Sequence, residues 1–406
     1  MAFMATVDTE LPPRFDPNDP AVIDDPYPTY ARLRSAGPLC RFGPGQWGVT
    51  RYAEVAALLK DRRLGSAFPP DFYRYAVGEG PASAFFEQIC LVRDPPEHTR
   101  LRHLMGRALS QAPIRSLQGH ISELVDHLLA PAVESGRLDA VSDLAFPLPV
   151  MVICELLGVP VADRDLVRPR AAGLVKGFTT FVAPADRAEV HESVTWLQQY
   201  VGRLLEERRR RPGDDLLSLL AAAGDDGQAL TPEEIVDNAV FLFFAGFETT
   251  RNLIANACAA LLRHPDQLDR LRGDRSLVPA AVEEFLRYDA PVQGAGRFTR
   301  EPIEIAGRTI RRGRVLVLLI GSANRDERQF SDPESLDVGR QPNPHLAFGG
   351  GGHFCLGASL ARLEGALVIE GLLNRFATFE PAGDSVRRPL GNFRSYASVP
   401  IAVSAA

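Results

Sequence analysis

Apolar residues recur at helical spacing through the middle of this chain and alternate with a period of two only in short pieces nearer its ends. Pro113–Ala132 places Ile114, Leu117, Ile121, Leu124 and Leu128 along one helical face, and Leu197–Arg209 repeats the pattern. The clearest helix begins at Thr231, which caps while Pro232 fills the first turn and Glu234 completes a capping box. Its apolar run continues through Ala239–Leu262 and stops at His264–Pro265. At about 1.5 Å per residue such a helix spans about 50 Å and is expected to be buried along most of its length. Ser276–Arg287 reads as a further helix, and so does the stretch from about Cys355 to Phe376. A short helix is predicted at Pro28–Ala36. Strand-like pieces fall at Leu39–Phe42, Gln46–Thr50, Arg297–Thr299, Ile303–Ala306 and Val315–Ile320, and 324–347 is irregular. No repeat or low-complexity linker divides the chain. The pattern predicts one mainly helical α+β domain over 1–406, mixed over about 1–60, helical over about 97–290 and β-containing over 290–406.

Composition narrows the class. The 406 residues are 45% hydrophobic and 24% charged, which leaves ample material for a core and excludes disordered and fibrous chains. A net charge of −6 argues against a nucleic-acid partner, which needs a basic surface. The run Arg208–Arg211 before Pro212 is read as a solvated helix C-terminus, where cations suit the dipole. The five cysteines (Cys40, Cys90, Cys154, Cys258 and Cys355) are scattered and odd in number, the pattern of a reducing compartment rather than a disulfide framework. Residues 1–30 carry Asp8, Glu10, Arg14, Asp16, Asp19, Asp24 and Asp25, with no apolar run for a signal peptide or membrane span. The expectation is a cytoplasmic protein.

The most informative segment is Phe348-Gly349-Gly350-Gly351-Gly352-His353-Phe354-Cys355-Leu356-Gly357. Consecutive glycines allow close backbone approach and positive φ. The strongly helical stretch that follows places Cys355 at a helix N-terminus, where the dipole and free N–H groups favour thiolate. A phosphate loop needs Gly-Lys-Ser/Thr, which is missing. A zinc site needs more ligands than Cys355 and His353. A nucleophilic cysteine stays open, although the glycines have no evident role in that chemistry. A lone thiolate held by N–H donors also suits axial ligation of haem iron.

That segment resembles the haem-binding signature of the cytochrome P450 superfamily, Phe-Gly-x-Gly-x-His/Arg-x-Cys-x-Gly, with every fixed position filled. Other segments agree in type and order, so the resemblance spans essentially the whole chain. It implies a triangular, mainly α fold with a long central helix and small β-sheets. Ala245-Gly246-Phe247-Glu248-Thr249-Thr250, in mid-helix, resembles the family's acid–alcohol pair, with Glu248 as acid and Thr249 as alcohol. Gly246 and a threonine back-bond are expected to open the helix there. Glu284 and Arg287 resemble the Glu-x-x-Arg motif and imply a buried structural charge cluster with Arg340. In Asp94–Arg102, His98 and Arg102 share a helix face, and the family pattern puts them on the haem propionates, with Arg297 and His353 as further partners. Phe348, Gly349, Gly357 and Ala245 complete the implied cofactor contacts.

The resemblance also sketches a substrate pocket. Leu91 and Val92, then Phe241 and Phe244 of the long helix, form its expected lining, with Phe178 and Phe181 in a lid. Val292, Gln293 and Ala295 before Arg297, and Ser395 and Tyr396 in the tail, close it. The implied activity is that of a soluble bacterial haem-thiolate monooxygenase with haem b (iron protoporphyrin IX). It inserts one oxygen atom of O₂ into a lipophilic molecule, by hydroxylation or epoxidation in secondary metabolism. Electrons come from NAD(P)H through a ferredoxin and its reductase, or a flavodoxin, docking on the Cys355 side where Arg62, Arg63, Arg100 and Arg107 are expected. The substrate is free or bound to a carrier protein, and nothing demands more than a monomer. The alternatives are a peroxide-driven peroxygenase and a non-catalytic haem-binding sensor.

Overall fold

The computed structural model describes residues 11–406 except 44, 110–113, 115, 180–181 and 226–227, and the side chains of 107, 108, 224, 225 and 228 are also left out. Its organising element is the central helix, Pro232–Arg263, 32 residues long. The capping box forms as its sequence dictates. Thr231 Oγ1 accepts from the Glu234 N–H at 3.2 Å, and Glu234 Oε2 accepts from the Thr231 N–H at 2.9 Å. The helix stops at His264, before Pro265 begins the next one.

Almost every side of this helix is covered, which is why its sequence lacks a clean polar stripe. Phe243, Phe244 and Phe247 enter one apolar cluster with Phe85, Ile153 and Leu174. Ile254, Ala255 and Cys258 enter a second with Ile121, Val125 and Leu372. Leu253, Ala257 and Leu261 join a third with Val282 and Phe285 of the helix Val278–Tyr288.

Two sheets tie distant parts of the chain to this frame. In the larger one, Gln46–Val49 is flanked by Leu39–Gly43 and by Val315–Leu318, and the latter pairs on its other side with Ala295–Thr299, which also borders Leu64–Gly65. Leu316 stands opposite Trp47 in parallel register and opposite Arg297 in antiparallel register. In the smaller sheet, Pro400–Ala405 lies between Phe376–Pro381 and Arg137–Asp139. Among the described residues no helix is long and apolar enough to cross a membrane.

Three boundaries differ from expectation. The helix predicted from Leu197 begins at Arg187, because its first turns are polar on the outside and bury only Val190, Ser193 and Val194. Ile320 opens a short helix, Ile320–Ala323, instead of ending the strand. The C-terminal helix spans Ala358–Arg375, so Cys355 precedes it by one turn of loop. Most of the predicted helix Pro113–Ala132 is found in Gln118–Ser135, and its start lies partly outside the described residues.

Candidate functional site

The glycine-rich loop is shaped by backbone bonds and by contact with Leu59. The Cys355 N–H donates to Phe348 O at 2.8 Å, and the Phe354 N–H to Gly351 O at 3.2 Å. Gly349 and Gly351 adopt φ of 70° and 64°. A Cβ on Gly351 would lie 2.7 Å from Leu59 O, so only glycine fits there. Four cysteines are buried and Cys355 alone is exposed, at the end of this loop. Although its side chain meets solvent, crowding of the sulfur by the surrounding chain pushes its thiol up, while the Gly357 N–H and the Arg102 and Arg362 guanidinium groups pull it down. Coordination to a metal would release the proton.

Beside the loop lies a cluster of cations without a matching anion. The His98 and His353 rings stand 3.9 Å apart, tilted by 33°. Arg102 donates to Phe354 O, and Arg297 Nη1 to Gly296 O at 2.8 Å. Burial lowers the basicity of Arg297, and burial, then His98 and Arg297, pushes His353 down to about 3. The carboxylate acting on this group is Asp94, which is already engaged by the Ser66 N–H at 2.8 Å, the Ala67 N–H at 3.1 Å and Arg300. The buried His98 Nε2 has no partner. Four cationic or protonatable groups thus surround a place where two carboxylates belong.

These residues fit a haem. Cys355 would hold the iron and His98, Arg102, Arg297 and His353 the two propionates, with Phe348, Gly349, Gly357 and Ala245 around the ring. Among the described residues no three His, Cys, Asp or Glu side chains group to hold a metal ion by themselves.

Across from the loop, the central helix stays α-helical through the predicted opening. Thr249 Oγ1 does donate to Ala245 O at 2.8 Å. Gly246 serves packing: a Cβ there would meet Ile153 Cδ1 at 2.8 Å. Glu248 has no exposed surface. It accepts from Arg388 Nη1 at 2.7 Å and lies 3.5 Å from Arg251 Nη1.

Next to this pair is an aromatic cluster. Phe178 stacks on Phe244 with centroids 3.6 Å apart and 6° between planes, and Phe86 meets Phe178 edge-on at 4.8 Å. Phe241 lies 6.2 Å from Phe178. Phe393 presents its edge to Phe244 at 6.1 Å and pairs with Val292. Val92 packs on the same cluster while Leu91 is 43% exposed.

Other expected lining residues point elsewhere. Gln293 follows Val292 in extended chain and so faces the opposite way. Its Nε2 bonds Ala290 O at 2.8 Å, and its amide lies against Gly321. Ala295 packs with the larger sheet. Tyr396 sits in the second apolar cluster, its ring under Arg387 at 3.7 Å and its hydroxyl accepting from Arg263 at 2.9 Å. Ser395 is buried, with its hydroxyl 3.2 Å from Arg388 Nη1. Sequence reasoning missed Phe393 and Leu390, whose spacing from Ser395 in the tail was the available signal, and it missed Arg388, which nothing local marks.

The charge cluster is fully assembled. Arg287 donates twice to Glu284, at 2.7 and 2.8 Å, and Arg340 Nε reaches both of its oxygens at 3.2 Å. Of the basic residues expected on the Cys355 side, Arg62 is exposed and Arg63 pairs with Asp61. Arg100 is occupied by Glu234 on the central helix, which corrects its expected role in steering a partner. Phe181 and the Arg107 side chain lie outside the described residues.

Known proteins resemble this chain along most of its length. The family description Cytochrome P450 matches residues 169–400. Cytochrome P450 monooxygenase PikC of Streptomyces venezuelae is 40% identical over 388 residues, covering 93% of this chain and 91% of that protein. Vitamin D(3) 25-hydroxylase of Pseudonocardia autotrophica is 42% identical over 351 residues, 85% of each. A crystal structure of P450BioI in complex with hexadec-9Z-enoic acid ligated acyl carrier protein is 37% identical with a TM-score of 0.89, covering 94% of this chain and 100% of that one.

Proposed function

The chain belongs to the cytochrome P450 family of monooxygenases, and on that premise we propose that it inserts one oxygen atom of O₂ into a lipophilic small molecule, by hydroxylation or epoxidation. The observation that carries this reading is the stacked aromatic cluster of Phe178, Phe244 and Phe393, built on the same stretch of the central helix as the Glu248–Thr249 pair. Haem b, when bound, supplies the oxygen chemistry, the Cys355 thiolate pushing electron density that favours O–O cleavage.

The rest is the work of the chain's own side chains. His98, Arg102, Arg297 and His353 neutralise the propionates and fix the cofactor's orientation. The Thr249 hydroxyl, held on Ala245 O at 2.8 Å, would hand a proton on, and Glu248 would take up and pass that proton. The aromatic side chains exclude water and favour an apolar substrate. Electrons from NAD(P)H come through a separate ferredoxin and reductase, or a flavodoxin. The exposed Arg62 supports docking of an acidic partner by charge steering. Secondary-metabolite tailoring is supported by relatives such as PikC. A substrate tethered to a carrier protein is supported by the P450BioI complex. The sharing of one sheet by Gln46–Val49 and Val315–Leu318 supports a single haem domain over 1–406.

The test is optical titration of the haem-loaded ferric protein with a panel of lipophilic molecules, free and as carrier-protein thioesters. Turnover with surrogate redox partners follows. A saturable low-to-high-spin shift and NAD(P)H-dependent product are expected. Ligand binding with no product under any electron supply would overturn the reading in favour of a sensor. Product from peroxide alone would favour a peroxygenase.

A further inference from the structure

Glu248 depends on a cation from the far end of the chain. It has no exposed surface, and a carboxylate taken wholly out of water stays ionised only while paired. Arg388 Nη1 donates to its Oε1 at 2.7 Å. Arg251, on the same helix, reaches Oε2 only at 3.5 Å, and Asn252 Nδ2 lies 3.4 Å from Oε1. Arg251 also has other duties. Its Nη2 donates to Tyr396 O at 3.2 Å, and its guanidinium lies 5.3 Å from the centre of the Phe146 ring, over which Arg168 also sits at 4.8 Å. Among the described residues these two arginines make the only ion pairs to Glu248.

The position of Arg388 is itself built. Its N–H donates to Ser395 O at 3.0 Å and its Nη1 to Ser395 Oγ at 3.2 Å, closing a turn over residues 388–395. The far side of that turn is pinned where the Arg394 N–H donates to Pro291 O at 3.0 Å. Between those ties, Leu390 and Phe393 pack on the aromatic cluster. One short turn therefore supplies both packing for the apolar cluster around Phe244 and the cation on the buried acid.

We propose that Arg388 is a positioning residue for the monooxygenase reaction, holding Glu248 ionised and aimed so that it takes up and passes protons. The inference rests on the functional reading above. Without Arg388 the 3.5 Å contact to Arg251 is the remaining ion pair, and the buried acid keeps its proton. No general structural damage is needed for that effect, since the turn's backbone bonds do not involve the guanidinium.

The test compares wild type with Arg388→Gln, Arg388→Lys and the double variant Arg388→Gln/Glu248→Gln, all haem-loaded. Infrared difference spectra of the resting proteins against wild type at neutral pH, in which the protonated carboxyl of the buried Glu364 cancels, should show an additional protonated-carboxyl C=O band in Arg388→Gln. That additional band should be absent from the Arg388→Lys and double-variant difference spectra. Turnover with surrogate partners should show product per NAD(P)H down about tenfold in Arg388→Gln, with KM unchanged and recovery in Arg388→Lys. No new band, or a coupling loss that lysine fails to rescue, overturns the proposal. The infrared arm needs no turnover. If wild type makes no product, the functional reading fails while the charge assignment is still decided.

Discussion

Replacing Glu364 by glutamine should remove a large loss of stability that wild type suffers between mild acid and mild base. Glu364 lies in the C-terminal helix with no exposed surface, and neither of its carboxyl oxygens has a hydrogen-bond partner. Its neighbours along that helix face, Leu360, Leu367 and Val368, belong to the apolar cluster shared with Ile254 and Cys258. With nothing to hold a charge, burial pushes the carboxyl up from 4.5 to about 8. The unfolded chain releases this proton above pH 4.5, whereas the folded chain keeps it until about 8. Across that window the folded state binds more protons, so stability falls as pH rises. The contribution is intact below 4.5 and its loss is complete above about 8. At about 1.4 kcal/mol per unit of pKa, the change is about 5 kcal/mol, a large part of a typical folding free energy. Glutamine has the same size and does not titrate. Urea unfolding of the haem-loaded wild type and Glu364→Gln should therefore give curves that diverge across the window, with the variant gaining on wild type as pH rises. Groups common to both, including His353 and Asp289, cancel in the difference. Parallel stability–pH curves would refute the reasoning, because they would mean that the folded carboxyl titrates as it does in water.

Glu284→Gln leaves the fully buried Arg287 without its counter-ion and should cost about 3–5 kcal/mol in urea unfolding; a loss under about 1 kcal/mol would deny the cluster its structural role. Cys355→Ala should abolish the red-shifted Soret band of the reduced CO complex, and retention of that band would remove Cys355 as ligand. Thr249→Ala removes the hydroxyl held at 2.8 Å on Ala245 O and should divert reducing equivalents to peroxide or water; unchanged product per NAD(P)H would exclude it from the relay.

What the sequence revealed and what it hid divide along a physical line. The central helix was readable to within a residue at both ends because Thr231, Pro232 and Glu234 act on each other within one turn, and Pro265 stops the helix locally. The loop around Cys355 was equally visible, since glycine spacing is a backbone property. Partners far apart in sequence were not. Arg388 lies 140 positions from Glu248, and Arg100 lies 134 from Glu234, so no periodicity could assign either pair. Orientation within extended segments also depends on tertiary register. A one-residue alternation turned Gln293 away from the pocket while Val292 faced Phe393. Nothing in the sequence of the C-terminal helix sets Glu364 apart from other glutamates, and only tertiary packing buries it.

The larger sheet has a consequence for how the chain is made. Gln46–Val49 leaves the ribosome well before one of its neighbours, Val315–Leu318. Until then the hairpin with Leu39–Gly43 carries an unpaired edge, open to pairing with the wrong chain. The proposed cofactor cradle has the same divided origin. His98 and Arg102 arrive early, whereas Arg297, on the strand paired with Val315–Leu318, arrives late, followed by His353 and Cys355. A nascent chain therefore cannot complete the proposed cradle until Cys355 has been made, and a cut anywhere between Arg102 and Ala295–Thr299 yields two pieces, neither of which has a complete sheet or a complete set of the proposed propionate partners.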